Sequence, residues 1–175
     1  LLIFNCHLRA LFGNLQITHL VLTSESLDVL STHAFVLGIP RLPPVFHPAN
    51  PMNPYCDFTE DKLISCVQSL SVAPARFGKY EYSNLGFGLL GHIVSKRSQR
   101  SYSDLCHEIV FRPLGMMSSF TSYQEIPHDL SHRIAHGHRD RTQLTSQWDF
   151  DALAGCGSLL STSNDLMKLM IAALD

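Results

Sequence analysis

Apolar residues recur every three or four positions in four stretches after residue 56, and each stretch predicts a helix. The first stretch places Leu63, Val67 and Leu70 on one face. Asp57 precedes it and has the capping-box spacing to Glu60, so the pattern predicts that Asp57 caps this helix.

The second helix is predicted to start at Ser83 or Asn84 and to run to about Ser98. Its apolar face comprises Leu85, Leu89, Leu90, Ile93 and Val94. Three glycines interrupt the stretch, namely Gly86, Gly88 and Gly91. Each glycine costs a helix about 1 kcal/mol relative to alanine. We therefore expect another element to approach closely on this small-residue face.

Two further helices are predicted from the same kinds of start and stop signals. One opens at Ser101 and stops at Pro113, because proline cannot continue a helix. The last starts at Ser161 or Thr162, where Thr162 and Asp165 form a second capping box. The apolar face of this last helix comprises Leu166, Leu169, Met170 and Ala173.

The remaining segments have no helical period. A short helix or a strand fits Leu15–Leu30 equally well. Six prolines predict a loop over 38–54, since each one fixes φ and removes a backbone donor. An extended segment is expected over Arg76–Tyr82, and residues 118–150 are polar and loop-like with an extended piece near Trp148.

Composition excludes several classes of protein. Charged residues make up 16% of the chain and the net charge is −2, which disfavours both a disordered chain and a nucleic-acid-binding surface. No apolar run approaches the roughly 20 residues of a spanning helix, so no membrane span is expected in this chain. Leu1–Ala10 lacks the charged start of a signal peptide, so we expect none within these 175 residues. Five cysteines without a C-x-x-C pair do not predict a disulfide framework.

One segment, Tyr80–Gly91, contains Tyr82-Ser83-Asn84 and resembles the Y-S-N region of class C serine β-lactamases and related D-alanyl-D-alanine carboxypeptidases and esterases. Three more blocks resemble that family in the expected order: Gly38–Pro43, Phe111–Met116 and Trp148–Thr162. A lone Tyr-x-Asn would carry no weight, whereas four ordered blocks identify the chain as a member.

The resemblance implies an α+β fold, the serine β-lactamase-like α/β sandwich, of which this chain would contain mostly the helical lobe. Residues 38–175 would form a partial domain, and residues 1–37 remain divergent or unassigned. In the family's pattern Tyr82 would be the proton shuttle and Asn84 would bind the substrate's amide. The intact parent would act on a small β-lactam, peptide or ester, without a cofactor or metal. Family members in bacteria are mostly exported.

Two motifs of that chemistry are absent from these 175 residues. None of the four lysines has a serine three positions before it, and the nearest imitation is Thr59-x-x-Lys62. None of the ten glycines has Lys or His two positions before it, so no Lys/His-x-Gly motif exists. We therefore expect a fragment that is inactive as given. The absence of both motifs also fits an alternative to the hydrolase fragment, namely a non-catalytic remnant or binding module.

A third hypothesis concerns the histidines. His128, His132 and His136 are spaced by four, with His138 close behind, and on an α-helix they would form one stripe suited to Zn or Ni. The sequence around Gly137 favours an irregular segment instead. Loop histidines are therefore the simpler interpretation.

Overall fold

The computed structural model describes residues 15–17, 20–22, 39–43, 46–70 and 82–174. Strands β1 (Leu15–Ile17) and β2 (Leu20–Leu22) pair antiparallel, with Leu15 opposite Leu22 and Ile17 opposite Leu20. Sequence spacing left helix and strand open over Leu15–Leu30, and the described residues of that stretch form strands. The rest of the stretch lies outside the described residues.

Helix α1 spans Glu60–Ser69 and buries Leu63, as predicted. The prediction that Asp57 caps it is wrong, because the N-cap residue is Thr59, whose side chain makes no capping hydrogen bond. The Asp57 carboxylate is instead paired with the ammonium group of Lys62 at 2.7 Å. A carboxylate two residues before the N-cap pairs more readily with a side-chain cation than with the first backbone amides of the helix.

Helix α2 spans Asn84–Ser98 and begins where the sequence predicted. Ser83 is its N-cap, and its hydroxyl accepts a hydrogen bond from the amide of Gly86 at 2.8 Å. The helix ends at Gln99, whose φ of 56° is left-handed. Four residues of the predicted apolar face are buried in the main core, namely Leu85, Leu89, Ile93 and Val94.

The small-residue face of α2 packs against a 3₁₀ helix, Asp151–Cys156. A Cβ at Gly91 would lie 2.8 Å from the Cα of Gly155, and a Cβ at Gly88 would collide with Leu153. The expected close approach is therefore confirmed at Gly88 and Gly91. It brings Leu153 to full burial in the core between α1, α2 and this segment.

Helix α3 spans Tyr102–Cys106 and continues as a π-helical turn, His107–Phe111. Its N-cap is Ser101, whose hydroxyl accepts from the amide of Asp104 at 2.9 Å. The helical conformation stops immediately before Pro113, as predicted. Below this helix lies a second, smaller core formed by Cys106, Phe111 and Met116.

Residues 118–150 are largely irregular, as expected, but they include two 3₁₀ helices, Tyr123–Glu125 and His128–Arg133. Two isolated bridges, Phe120 with Leu160 and His138 with Leu144, tie this region together. Trp148 belongs to no strand of the described residues.

Helix α4 spans Ser163–Leu174, and the hydroxyl of Thr162 accepts from the amide of Asp165 at 3.3 Å. Leu169 packs on the second core. The rest of the predicted apolar face is uncovered, since Leu166 is 41% and Met170 is 59% exposed. This helix therefore has an apolar surface that the described residues do not bury.

Candidate active site

Tyr82, Ser83 and Asn84 lie at the junction where the chain enters α2. The side chain of Tyr82 is 43% exposed, and its ring leans on Phe87 with 5.8 Å between ring centroids. One face of the phenol is therefore held by the helix while the other remains accessible to a ligand. An exposed phenol at a fixed position suits a proton-transfer group.

Ser83 is completely buried and both hydrogen-bonding functions of its hydroxyl are used. The hydroxyl donates to the carbonyl oxygen of Pro40 at 2.7 Å and accepts from the amide of Gly86 at 2.8 Å. The amide of Leu85 also donates to the carbonyl of Arg41 at 3.3 Å. Ser83 therefore attaches the proline-rich loop to the start of α2 and is not available as a nucleophile.

Asn84 points its amide at a residue that the sequence did not single out. Its Nδ2 donates to the hydroxyl of Tyr55 at 2.9 Å. Tyr55 is 5% exposed and lies 29 positions earlier in the chain. No spacing rule links residues that far apart, so the sequence signal was limited to an aromatic residue at the end of the proline-rich loop.

Tyr55 is the centre of an aromatic cluster that we define as Phe46, Tyr55, Trp148 and Phe150. The Phe150 ring stacks on Tyr55 at 5.1 Å and an interplanar angle of 15°, and the Trp148 ring meets it edge-on at 5.6 Å. Phe46 packs on it at 5.2 Å. Such pairs stabilise by about 0.5–1.5 kcal/mol beyond the area they bury, so the position of the Tyr55 ring is well determined.

Burial raises the pKa of the Tyr55 phenol above its ordinary value of 10.0, although the hydrogen bond with Asn84 and the charge of Arg41 act in the opposite direction. Desolvation penalises the phenolate and wins. Tyr55 is therefore a neutral phenol near neutral pH, able to accept one hydrogen bond and donate another.

A reciprocal amide clamp holds the segment around Trp148 against the proline-rich loop. The Asn53 side chain donates to the carboxylate of Asp149 at 2.9 Å, and the amide of Asp149 donates to the Asn53 side-chain oxygen at 2.9 Å. Three of the four sequence blocks thus meet around Tyr55: the loop before residue 44, the Y-S-N junction and the segment beginning at Trp148.

The beta-lactamase family model matches residues 28–175, which is most of the chain. The chain belongs to the beta-lactamase family. The resemblance read from the four sequence blocks is confirmed by this match. Family members act on small-molecule substrates, and the residues just described lie within the matched region.

The curated relatives are much longer proteins than this chain. It is 25% identical over 168 residues to beta-lactamase-like protein 2 of Dictyostelium discoideum, covering 91% of this chain and 28% of that protein. It is 34% identical over 89 residues to the D-alanyl-D-alanine-carboxypeptidase/endopeptidase AmpH of Escherichia coli strain K12, covering 51% of this chain and 22% of that protein. The chain therefore spans about a quarter of the length of these relatives.

Solved structures confirm the fold class. A beta-lactamase/D-alanine carboxypeptidase from Pseudomonas syringae superposes with a TM-score of 0.70 at 17% identity, covering 98% of this chain and 46% of that chain. A class C beta lactamase from Rhodobacter sphaeroides superposes with a TM-score of 0.61 at 24% identity, covering 85% and 37%. The chain has the fold of part of the α/β serine hydrolase domain, and its described residues form mostly helices.

Neither half of Thr59-x-x-Lys62 is arranged as a nucleophile and its activating cation. Thr59 is the N-cap residue of α1. The Lys62 ammonium group is committed to Asp57 in an exposed ion pair. Thr59-x-x-Lys62, which has the spacing of Ser-x-x-Lys, is therefore a helix start followed by a surface salt bridge.

The histidines at 128–138 do not lie along one α-helix. His128 and His132 belong to a 3₁₀ helix, in which residues three apart are aligned and residues four apart are not. His136 and His138 follow it in irregular chain. Among the described residues, no three His, Cys, Asp or Glu side chains are grouped so as to hold a metal ion.

No helix within the described ranges is both long enough and apolar enough to cross a membrane. The sequence expectation of an extended segment over Arg76–Tyr82 falls outside the described residues except at Tyr82 itself.

Proposed function

We propose that this chain is part of a serine hydrolase that transfers acyl groups from β-lactams, D-alanyl peptides or small esters. The chain's family and its carboxypeptidase relatives support the reaction class. The observation that carries the proposal is the Y-S-N junction, where an accessible phenol and an amide held by Tyr55 lie two residues apart at the start of α2.

In this proposal Tyr82 moves the proton. Acyl transfer requires a base that takes the proton of the attacking hydroxyl and returns it to the leaving group. The Tyr82 phenol is exposed and backed by Phe87, so it can meet a substrate without a rearrangement of α2. A Ser-x-x-Lys pair would supply the attacking hydroxyl and a cation beside it.

Asn84 is proposed to bind the substrate's amide group. A primary amide offers both an acceptor and donors, which matches the N–H and C=O of a peptide bond or of a penicillin side chain. Ser83 supports both neighbours by fixing the backbone between them. Ser83 is buried and makes two hydrogen bonds, and these hold the backbone from which the side chains of Tyr82 and Asn84 extend.

These 175 residues are proposed not to acylate by themselves. The covalent step forms a bond between a side-chain oxygen and the substrate's carbonyl carbon and breaks that carbon's bond to the amide nitrogen or ester oxygen, and the proton of the side-chain oxygen passes to the leaving atom. The sequence contains no Ser-x-x-Lys pair to provide that oxygen and its cation, and no Lys/His-x-Gly motif. Without that side-chain oxygen, Tyr82 has no nucleophile from which to take a proton.

Intact mass spectrometry of the purified chain with excess benzylpenicillin tests this directly. We expect the mass to stay unchanged after prolonged incubation, for the wild type and for Tyr82→Phe alike. A stoichiometric mass increase of one benzylpenicillin would overturn the proposed inactivity. Loss of that adduct in Tyr82→Phe would then show that the phenol takes part.

Binding without chemistry is tested by titrating benzylpenicillin, a D-alanyl-D-alanine peptide and a small ester against the fluorescence of Trp148, the single tryptophan of the chain. Asn84→Ala should weaken binding of the two amide-containing compounds. Asn164→Ala, an exposed position on α4, is the matched control and should not. Equal affinities for wild type and Asn84→Ala would contradict the role of Asn84.

A second candidate function is a non-catalytic binding module, which the same absent motifs support. Genomic sequence on both sides of this chain separates the two. An in-frame Ser-x-x-Lys upstream and a Lys/His-x-Gly downstream would establish the hydrolase. Stop codons immediately outside the chain, together with ligand binding, would favour the module.

A further inference from the structure

The Tyr55 hydroxyl lies outside all four blocks that resemble the family, yet it is the partner of Asn84. Among the described residues, Tyr55 provides the side-chain hydrogen bond that Asn84 makes. We propose that Tyr55 is a positioning residue, which orients the Asn84 amide for an amide-bearing substrate. This inference rests on the proposed function of Asn84.

The hydrogen bond matters because an asparagine amide is otherwise poorly oriented. Its terminal torsion is broad and roughly two-fold, so the oxygen and the NH₂ group can exchange places at little cost. One N–H of Asn84 is engaged by Tyr55. That leaves the amide oxygen and the second N–H, one acceptor and one donor, for the N–H and C=O of a bound secondary amide.

The position of the Tyr55 oxygen is determined by its ring and not by its hydroxyl. The ring is buried between Phe46 and Phe150, with Trp148 against its edge. Phenylalanine at position 55 can make the same ring contacts. Tyr55→Phe therefore removes the orienting hydrogen bond and leaves the aromatic cluster in place.

The orienting bond is also insensitive to pH near neutrality. Burial keeps the Tyr55 phenol protonated, and an amide does not titrate. The charge effects of Cys156 and Tyr82 raise the pKa of this phenol further, in the same direction as burial. The hydroxyl accepts from the amide N–H, and this arrangement directs the amide oxygen and the second N–H away from Tyr55.

A double-mutant cycle tests the proposal in the full chain. Benzylpenicillin binding is followed through Trp148, whose ring lies 5.6 Å from Tyr55. We expect Tyr55→Phe to weaken binding about tenfold, the value of one well-placed hydrogen bond. The same substitution in an Asn84→Ala background should weaken it no further, because no amide remains to be oriented.

Tyr102→Phe is the matched control, since Tyr102 is a tyrosine of α3 packed on the second core. It should leave benzylpenicillin affinity unchanged. An equal loss from Tyr55→Phe in both backgrounds would show that Tyr55 acts through packing alone and would overturn the proposal. Unchanged affinity in Tyr55→Phe would also overturn it.

Failure of the wild type to bind benzylpenicillin would count against the proposed function, and a ligand-free measurement then decides the positioning role. The side-chain NH₂ resonances of Asn84 are identified by their absence in Asn84→Ala. Their ¹⁵N order parameter should fall in Tyr55→Phe and stay constant in Tyr102→Phe. A constant order parameter in Tyr55→Phe overturns the inference.

Discussion

The contact between α2 and the 3₁₀ helix Asp151–Cys156 is made by glycines, and Gly155→Ala tests how tightly it is closed. A Cβ at position 155 would lie 2.5 Å from the carbonyl oxygen of Phe87 and 2.9 Å from the Cα of Gly91. Both are backbone atoms of α2, so no side-chain rotation relieves the overlap. The 3₁₀ helix has to move away from α2 instead.

Restoring an ordinary contact requires a shift of about 1 Å, since non-bonded atoms prefer about 3.5–4.0 Å. That shift loosens Leu153, which is fully buried in the interface. Overpacking of this kind costs about 1–3 kcal/mol. Alanine returns about 0.4–1 kcal/mol by restricting the unfolded chain. We expect a net loss of about 1.3 kcal/mol, equivalent to a melting temperature lower by about 3–5 °C for a chain of this size.

Thermal melts followed by circular dichroism measure the effect, with Gly157→Ala as the matched control. Gly157 has an extended φ of 174°, and its Cβ would approach only the end of the Phe150 ring, at 3.2 Å. We expect that control to change the melting temperature by less than about 2 °C. An unchanged or higher melting temperature for Gly155→Ala, or an equal loss in Gly157→Ala, would refute the reasoning.

Two further predictions concern buried polar groups. Ser83→Ala should lower the free energy of unfolding in urea by about 2 kcal/mol, because it removes both the helix cap and the hydroxyl that donates to Pro40. Ser101→Ala removes only an exposed cap and should lower it by about 1 kcal/mol. Equal losses in the two variants would contradict this. Desolvation raises the pKa of Asp165, but hydrogen bonds from Lys168, Ser118 and Ser119 outweigh it and hold the pKa below its ordinary value. This carboxylate therefore stabilises fully above its unfolded pKa of about 3.9, and the contribution is lost as pH falls through the lower folded pKa. The melting-temperature difference between wild type and Asp165→Asn should accordingly shrink from pH 7 to pH 3, and a constant difference would argue against it.

Local pattern in the sequence determined the helices of this protein. The helix starts at Ser83 or Asn84 and at Ser101 were recognisable because capping involves an amide only three residues away. The apolar face of α2 was readable because helical geometry aligns positions three and four apart. Gly88 and Gly91 indicated a close neighbour, because glycine destabilises a helix and its presence there favours a tight contact. The ordered blocks around Y-S-N identified the family from residue identity.

Tertiary structure decided which residues meet. Tyr55 reaches Asn84, and Asn53 reaches Asp149 across 96 positions, and no periodicity encodes such pairings. Asp57 has the spacing of a cap, but a nearby ammonium group was the stronger partner. The apolar face of α4 was readable, whereas its exposure depends on which elements pack against it. Short-range spacing specifies secondary structure, while the site depends on contacts between segments that only folding brings together.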